Sequence, residues 1–170
     1  VIISSLGGNS RSTSGNIILP TAQKIAVGGT NLTKAKIIQA KTLFRTNEAD
    51  EEAGEELYML YNAAAAAQIL ADTTLTSTDY LAGQFLREGS VRGKWMGFNW
   101  IPTERCPKVS TTRFLYAYAK SGVTLGKGAD IMTKVGEDPG KGFNVRIYAK
   151  MSIGSVRVEE EKVVEIACLE

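Results

Sequence analysis

Phe143, Val145, Ile147, Ala149, Met151 and Ile153 alternate without interruption with Asn144, Arg146, Tyr148, Lys150 and Ser152. A period of two held over eleven residues predicts a β-strand with an apolar face buried and a polar face wet. At about 3.3 Å per residue it spans roughly 35 Å, longer than a typical globular strand. Gly154-Ser155 reads as a break, Val156-Arg157-Val158 as a resumption, and Glu159 to Lys162 as a charged turn before a further strand from Val163 to Cys168. So long a strand can tie two parts of a protein together, and it points to a structural rather than a catalytic architecture.

Composition narrows the field mostly by exclusion. The 170 residues suffice for one or two small domains with a real core. No apolar run approaches the ~20 residues of a membrane span, so no membrane partner is expected. A net charge of +2 does not mark the whole molecule as a nucleic-acid binder. Histidine is absent, which removes the commonest general base and zinc ligand and every Ser-His or Cys-His nucleophile pair. Cys106 and Cys168 stand far apart without metal-ligand spacing, which favours a reduced compartment. Val1 in place of methionine suggests a processed start or the remainder of something longer.

The pattern along the chain is mixed. Residues 1–32 read as mostly irregular, with flexible Gly7 to Gly15 and a turn at Gly28-Gly29. Asn31 or Thr33 can cap a helix running from Lys34 to Arg45, with Ile37, Ala40 and Phe44 on one face and Lys34, Lys41 and Arg45 on a neighbouring stripe. Leu57 to Tyr61 is a short strand, and Asn62 caps an alanine-rich helix to about Ala71. A further short helix is expected over 79–86. Val91 to Ile101 reads as one strand punctuated by Gly93 and Gly97, and Arg113 to Lys120 as another. The segment from Ser121 to Gly142, rich in glycine and charge, reads as loop with one short helical or extended piece. The fold class is therefore α+β.

Four features invite a chemical reading. Gly122-Val123-Thr124-Leu125-Gly126-Lys127-Gly128 approaches a phosphate loop, but three rather than four residues separate the glycines and Gly128 replaces the hydroxyl that holds magnesium. A small nucleotide-binding enzyme using Lys127 is thus a distant alternative to a strand-connecting loop. Glu48, Asp50, Glu51, Glu52, Glu55 and Glu56 could gather a cation, but lack the spacing of a calcium loop and read better as a solvated turn or an inter-subunit contact. Lys34, Lys41 and Arg45 could lie near phosphates or form an ordinary wet face. Trp95, Phe98 and Trp100 could stack bases, although alternate aromatics in a strand are more often core. No catalytic set, cofactor-binding residue or metal ligand emerges.

In combination, Leu32 to Phe44, Asp72 to Trp100, Lys120 to Asp130 and Arg146 to Cys168 resemble the major capsid proteins of tailed double-stranded-DNA bacteriophages, whose fold is named after phage Hong Kong 97. The resemblance implies a peripheral domain at 1–56 with a spine helix at 33–46, an axial domain at 57–153, and return strands of the peripheral domain at 154–170. Family members are longer, so it further implies the C-terminal part of a subunit, preceded by an N-terminal arm and an extended loop. It implies a non-enzymatic, self-assembling icosahedral shell of hexamers and pentamers in the virion, built in the host cytoplasm. Partners would be copies of itself, packaged DNA held without sequence preference near Lys34, Lys41 and Arg45, and portal, scaffold or decoration proteins. An encapsulin-like cellular nanocompartment shell is the nearer alternative.

Overall fold

A computed structural model describes residues 2–8, 10–12, 15–72, 91 and 93–170. The helix expected over 79–86 lies outside the described residues.

Two regions of different character emerge: a body built on a seven-stranded sheet, and a two-stranded arm. In the body, Thr33 caps α2 (Lys34–Thr46), its side-chain oxygen accepting from the Lys36 amide. This satisfies one of the amides that a helix start leaves unpaired. Ile37, Ala40 and Phe44 recur at helical spacing and are fully buried. β4 (Leu57–Tyr61) leads directly into α3 (Ala63–Ala71), where Asn62 Oδ1 accepts from the Ala65 amide at 3.0 Å. Tight sheet contacts follow at β8 (Thr112–Ala119), which pairs antiparallel with both β4 and β11 (Val163–Leu169).

The sheet order is β3-β11-β8-β4-β6-β5, with β3 at Lys24–Ile25, β5 at Gly93–Trp95 and β6 at Phe98–Pro102. The short β7 (Lys108–Val109) adds to β8. β3–β11 and β4–β6 are parallel, so the sheet is mixed. One core joins Ile37 and Phe44 of α2 to Leu57 and Met59 of β4, Leu115 of β8 and Ile166 of β11. Residues on both sides of position 56 contribute to this core.

Three expectations need correction. Residues 91–101 are not one strand: Met96 (φ 49) and Gly97 (φ 83) make a two-residue turn that folds β5 back on β6. Residues 1–32 are not mostly irregular, since they include α1 (Ile2–Gly7) and a hairpin of β1 (Ser10–Ser12) and β2 (Gly15–Ile17). Nor is 121–142 a loop with only one short regular piece. Val123–Asp138 forms β9, a 16-residue strand paired antiparallel with β10 (Asn144–Arg157). Ladder hydrogen bonds use the backbone, so they form here despite glycines that weaken strands locally.

The arm spans roughly 50 Å at strand rise. Gly154 does not interrupt it but sits opposite Gly126, and the irregularity falls instead between Lys150 and Ile153 as a bulge-like register shift. At the tip, Asp138 Oδ1 accepts from the Gly140 amide at 3.1 Å, and Gly142 and Phe143 turn the chain with positive φ.

Candidate functional site

The arm's register sorts its side chains onto two faces. Directly paired residues point the same way, so Val145, Ile147 and Ala149 share a face with Glu137, Val135 and Thr133. Ile131, two residues before Thr133, and Met151, two after Ala149, extend that row. The opposite face carries Arg146, Tyr148 and Lys150 with Gly136, Lys134 and Met132. The alternation thus yields an apolar and a polar face, but among the described residues the expected burial of the apolar face does not occur. Ile147 is 72% exposed, Val135 71% and Val145 68%, whereas Leu115 and Ile166 of the body are 0% exposed. Both arm strands need a second layer that the described residues do not supply.

At the arm's root, Ile2 and Ile3 of α1, Leu125 of β9 and Ile153 of β10 line an apolar cleft with Arg105 and Pro107. It is the point where the arm meets the body.

The second candidate surface is the charged region around the end of α2. The basic stripe and the acidic cluster, two separate features in the sequence, come together here. Lys41 pairs with Glu51, and Arg45 pairs with Asp50, at 2.9 Å, and with Glu52. The hydrogen bond from Arg45 holds the Asp50 carboxyl below its usual range and raises Arg45 in turn. Asp50 also accepts from the Ala53 amide, which starts a short 3-10 turn ended by Gly54 in the left-handed region. Glu55 accepts from the Ser121 hydroxyl and pairs with Lys162 at 3.3 Å, and both interactions lower its pKa. Glu56 pairs with Lys120 at 3.0 Å and accepts from the Tyr58 hydroxyl, again lowering its pKa.

Five of the six acidic residues therefore have basic partners inside the chain, while Glu48 and Lys34 are exposed. The cluster also fixes the β5–β6 turn. A Cβ on Gly97 would lie 2.2 Å from Glu51 Oε1 and 2.7 Å from Lys41 Nζ, and Lys41 sits 5.7 Å from the centre of the Phe98 ring. The local arrangement is a neutralised fastening, not a free patch of one sign.

Other sequence features settle into structural roles. Residues 123–128 are extended strand, and Lys127 pairs with Asp130 at 3.4 Å on the exposed arm. A phosphate loop requires amides curled ahead of a helix, so the nucleotide alternative has no cradle here. Phe98 is fully buried against Phe44, with ring centroids 6.0 Å apart. Trp100 is buried and donates through Nε1 to the Trp95 carbonyl at 3.0 Å. These rings are core, not a stacking platform. Cys106 and Cys168 are free thiols, each pushed up to about 11 by burial. Among the described residues, no three His, Cys, Asp or Glu side chains group to hold a metal, and no helix is long and apolar enough to cross a membrane.

Two buried cations were missed in the sequence. Lys36 Nζ donates to the carbonyls of Val27, Thr30 and Ala167, each at 2.8 Å, tying α2 to the preceding loop and to β11. Burial lowers its pKa. Its place four residues before buried Ala40 was a legible signal of an inward position. Arg157, within an alternating run, is 1% exposed, and its partners are remote in sequence.

The family model for phage capsid proteins matches residues 1–170. The chain belongs to the phage capsid protein family. Its fold is similar to the capsid of cyanophage P-SCSP1u, with a TM-score of 0.70 at 15% identity over 99% of this chain and 59% of that one. A structure of Mycobacterium phage Che8 gives a TM-score of 0.66 at 18% identity, covering 85% of this chain and 53% of that chain. The holo-SrpI encapsulin complex from Synechococcus elongatus gives 0.55 at 10% identity, covering 87% of this chain and 53% of that chain. No curated protein matches by sequence. The chain spans little more than half the length of these similar structures, and its mixed α+β architecture is that of phage capsid folds.

Proposed function

We propose that this chain is the shell-building part of a Hong Kong 97-type capsid subunit, which packs beside copies of itself to enclose phage DNA. The observation that carries the reading is the arm: a family member extends a ribbon roughly 50 Å long whose apolar face lies in water. An isolated two-stranded ribbon is marginally stable, so a covering surface in the assembled shell would both complete the ribbon and hold the subunit in place. The role is structural, without a reaction.

Under this reading, the units that meet different neighbours are the body, 19–72 and 93–119 with 163–169, and the arm, 123–157. A peripheral–axial division would follow that line more naturally than residue 56. DNA contact along α2 rests chiefly on Lys34, because Lys41 and Arg45 are already neutralised. The attraction would be sequence-independent and weak in salt. Of the acidic residues, Glu48 is the one left to meet a neighbouring subunit. Portal, scaffold and decoration proteins, a virion location and assembly in the host cytoplasm belong to the same proposal.

Negative-stain microscopy of the full-length subunit after expression tests it. Uniform closed particles are the expected result, and a subunit that remains monomeric when concentrated would overturn the reading. The encapsulin alternative draws support from the similarity to the Synechococcus complex. A neighbouring gene for a terminase or portal would decide for the phage shell, and one for a cargo enzyme for the compartment.

A further inference from the structure

We infer that the N-terminal segment is a brace that fixes the angle between arm and body, and that Arg157 is the positioning residue that fastens it. Its guanidinium lies at the base of β10 with a side chain 0% exposed. It donates through Nη1 to the carbonyls of Leu6, at 2.7 Å, and Gly8, at 2.8 Å, and through Nη2 to the carbonyl of Ile17, at 3.1 Å. Its Nε faces Glu160 Oε1 at 3.7 Å, beyond the arm's end. The Leu6 and Gly8 carbonyls close α1, where a helix leaves acceptors unpaired and its dipole is negative. One planar fork thus satisfies three backbone acceptors from two separate pieces of the N-terminal segment. Lysine, with a single compact ammonium, lacks that geometry.

The same turn of α1 is held from the other side by the body. A Cβ on Gly7 would lie 2.0 Å from the Tyr116 hydroxyl oxygen, so only glycine allows this approach. Tyr116 is in β8 and is 2% exposed, and its hydroxyl donates to Glu165 of β11 at 3.4 Å. α1 therefore touches the body through Gly7 and the arm through Leu6 and Gly8, while its Ile2 and Ile3 line the cleft at the arm's root. The chain passes between body and arm near Gly122 and Val158, where the Val158 amide donates to the Gly122 carbonyl at 2.9 Å. Two strands leaving a sheet can pivot about such a line; a third contact removes the pivot. For a shell-forming subunit, which is the reading this consequence rests on, the braced angle sets how steeply neighbouring tiles meet.

The test uses the full-length subunit with spin labels at Lys141→Cys, on the arm tip, and Ile38→Cys, on an exposed face of α2. Cys106 and Cys168 are buried and stay unlabelled. Pulsed electron–electron distance measurement should give one narrow peak in the parent, lost or shifted in Arg157→Lys and in Gly7→Ala, while the thermal melt of the body persists. Unchanged narrow peaks in both variants, or a broad distribution in the parent, would overturn the brace. If Arg157→Lys fails to fold, Gly7→Ala decides, because it strikes the body end of the brace without disturbing a charge. Microscopy of the same proteins separates the two claims. Loss of uniform particle diameter in the variants supports the curvature role, and unchanged diameters overturn it. A parent that forms no particles sinks the shell reading, while the distance measurement still decides the brace.

Discussion

Body and arm apply the same period-two rule and end in opposite conditions. β8 and β11 alternate side chains across a sheet that seals Leu115 and Ile166 in the core, both fully buried. β9 and β10 alternate as well, but Ile147 and Val135, paired across the ladder, are both more than 70% exposed. The pattern in a sequence therefore encodes which face must be covered, without saying whether the covering layer lies in the same stretch of chain. The body covers its apolar face with its own residues; the arm leaves its apolar face exposed.

The largest difference should appear on truncating an apolar side chain in each region. Phe98→Ala removes a fully buried ring packed on Phe44 and should cost about 3–5 kcal/mol. Ile147→Ala, at 72% exposure, should stay within about 0.5 kcal/mol in the unassembled protein. Urea unfolding compares them directly. Particle yield should invert the ranking for Ile147→Asp, which leaves the body's core intact while placing a charge on the arm's apolar face. Equal costs for the two alanine variants before assembly would mean that the arm's face is already covered.

Glycine gives the next contrast. Gly97 has φ +83, and its Cβ would collide with Glu51, so Gly97→Ala should cost about 1–3 kcal/mol. Gly136, paired with Arg146 in the arm, has open space around it, and Gly136→Ala should be neutral or slightly stabilising, by up to ~1 kcal/mol. A marked loss at Gly136 in the unassembled protein would show a close neighbour at the arm. Capping side chains come third. Asn62 is buried, accepts from the Ala65 amide and donates to Glu170 at 3.2 Å, so Asn62→Ala should cost about 1–2 kcal/mol. The Asp138 cap at the exposed arm tip should cost no more than about 0.5 kcal/mol. A thermal melt of each variant checks the order.

What could be read in the sequence divides along the same line. α2 with its Thr33 cap, β4 running into the Asn62-capped α3, β8 and the last strand follow from local rules, because their own packing faces carry the signal. β9 was hidden because its glycines and charges resemble a loop, and only its pairing with β10 makes it a strand. The β5–β6 hairpin was hidden because Met96 takes a positive φ that its residue type does not announce. The basic and acidic residues were each visible, but the turn at 47–54 that folds one group onto the other was not, so their mutual neutralisation was not legible. Arg157 shows the same limit most plainly, since its acceptors lie about 140–150 positions away and are backbone atoms, which no side-chain pattern records.

The smallest expected effect concerns acid. In the body, the hydrogen bond from Arg45 holds Asp50 below the ordinary carboxylate range, and Glu55 and Glu56 are lowered by their own partners. A carboxyl with a depressed folded-state pKa binds fewer protons folded than unfolded. Its contribution is therefore present above the ordinary value and lost as pH falls through the lowered one. The unfolding midpoint should decline between about pH 4 and lower values, while changing little from about pH 7 to pH 5 on account of these groups. Asp50→Asn should lower stability near neutrality and flatten part of the acid limb. On the arm, Lys127 and Asp130 pair at 3.4 Å with both side chains more than half exposed, so solvent screens them and Asp130→Asn should leave stability near neutral pH almost unchanged. Urea unfolding of the three proteins near neutrality compares the two pairs. If Asp50→Asn costs no more there than Asp130→Asn, the charge cluster at the end of α2 is no more a fastening than an ordinary surface pair.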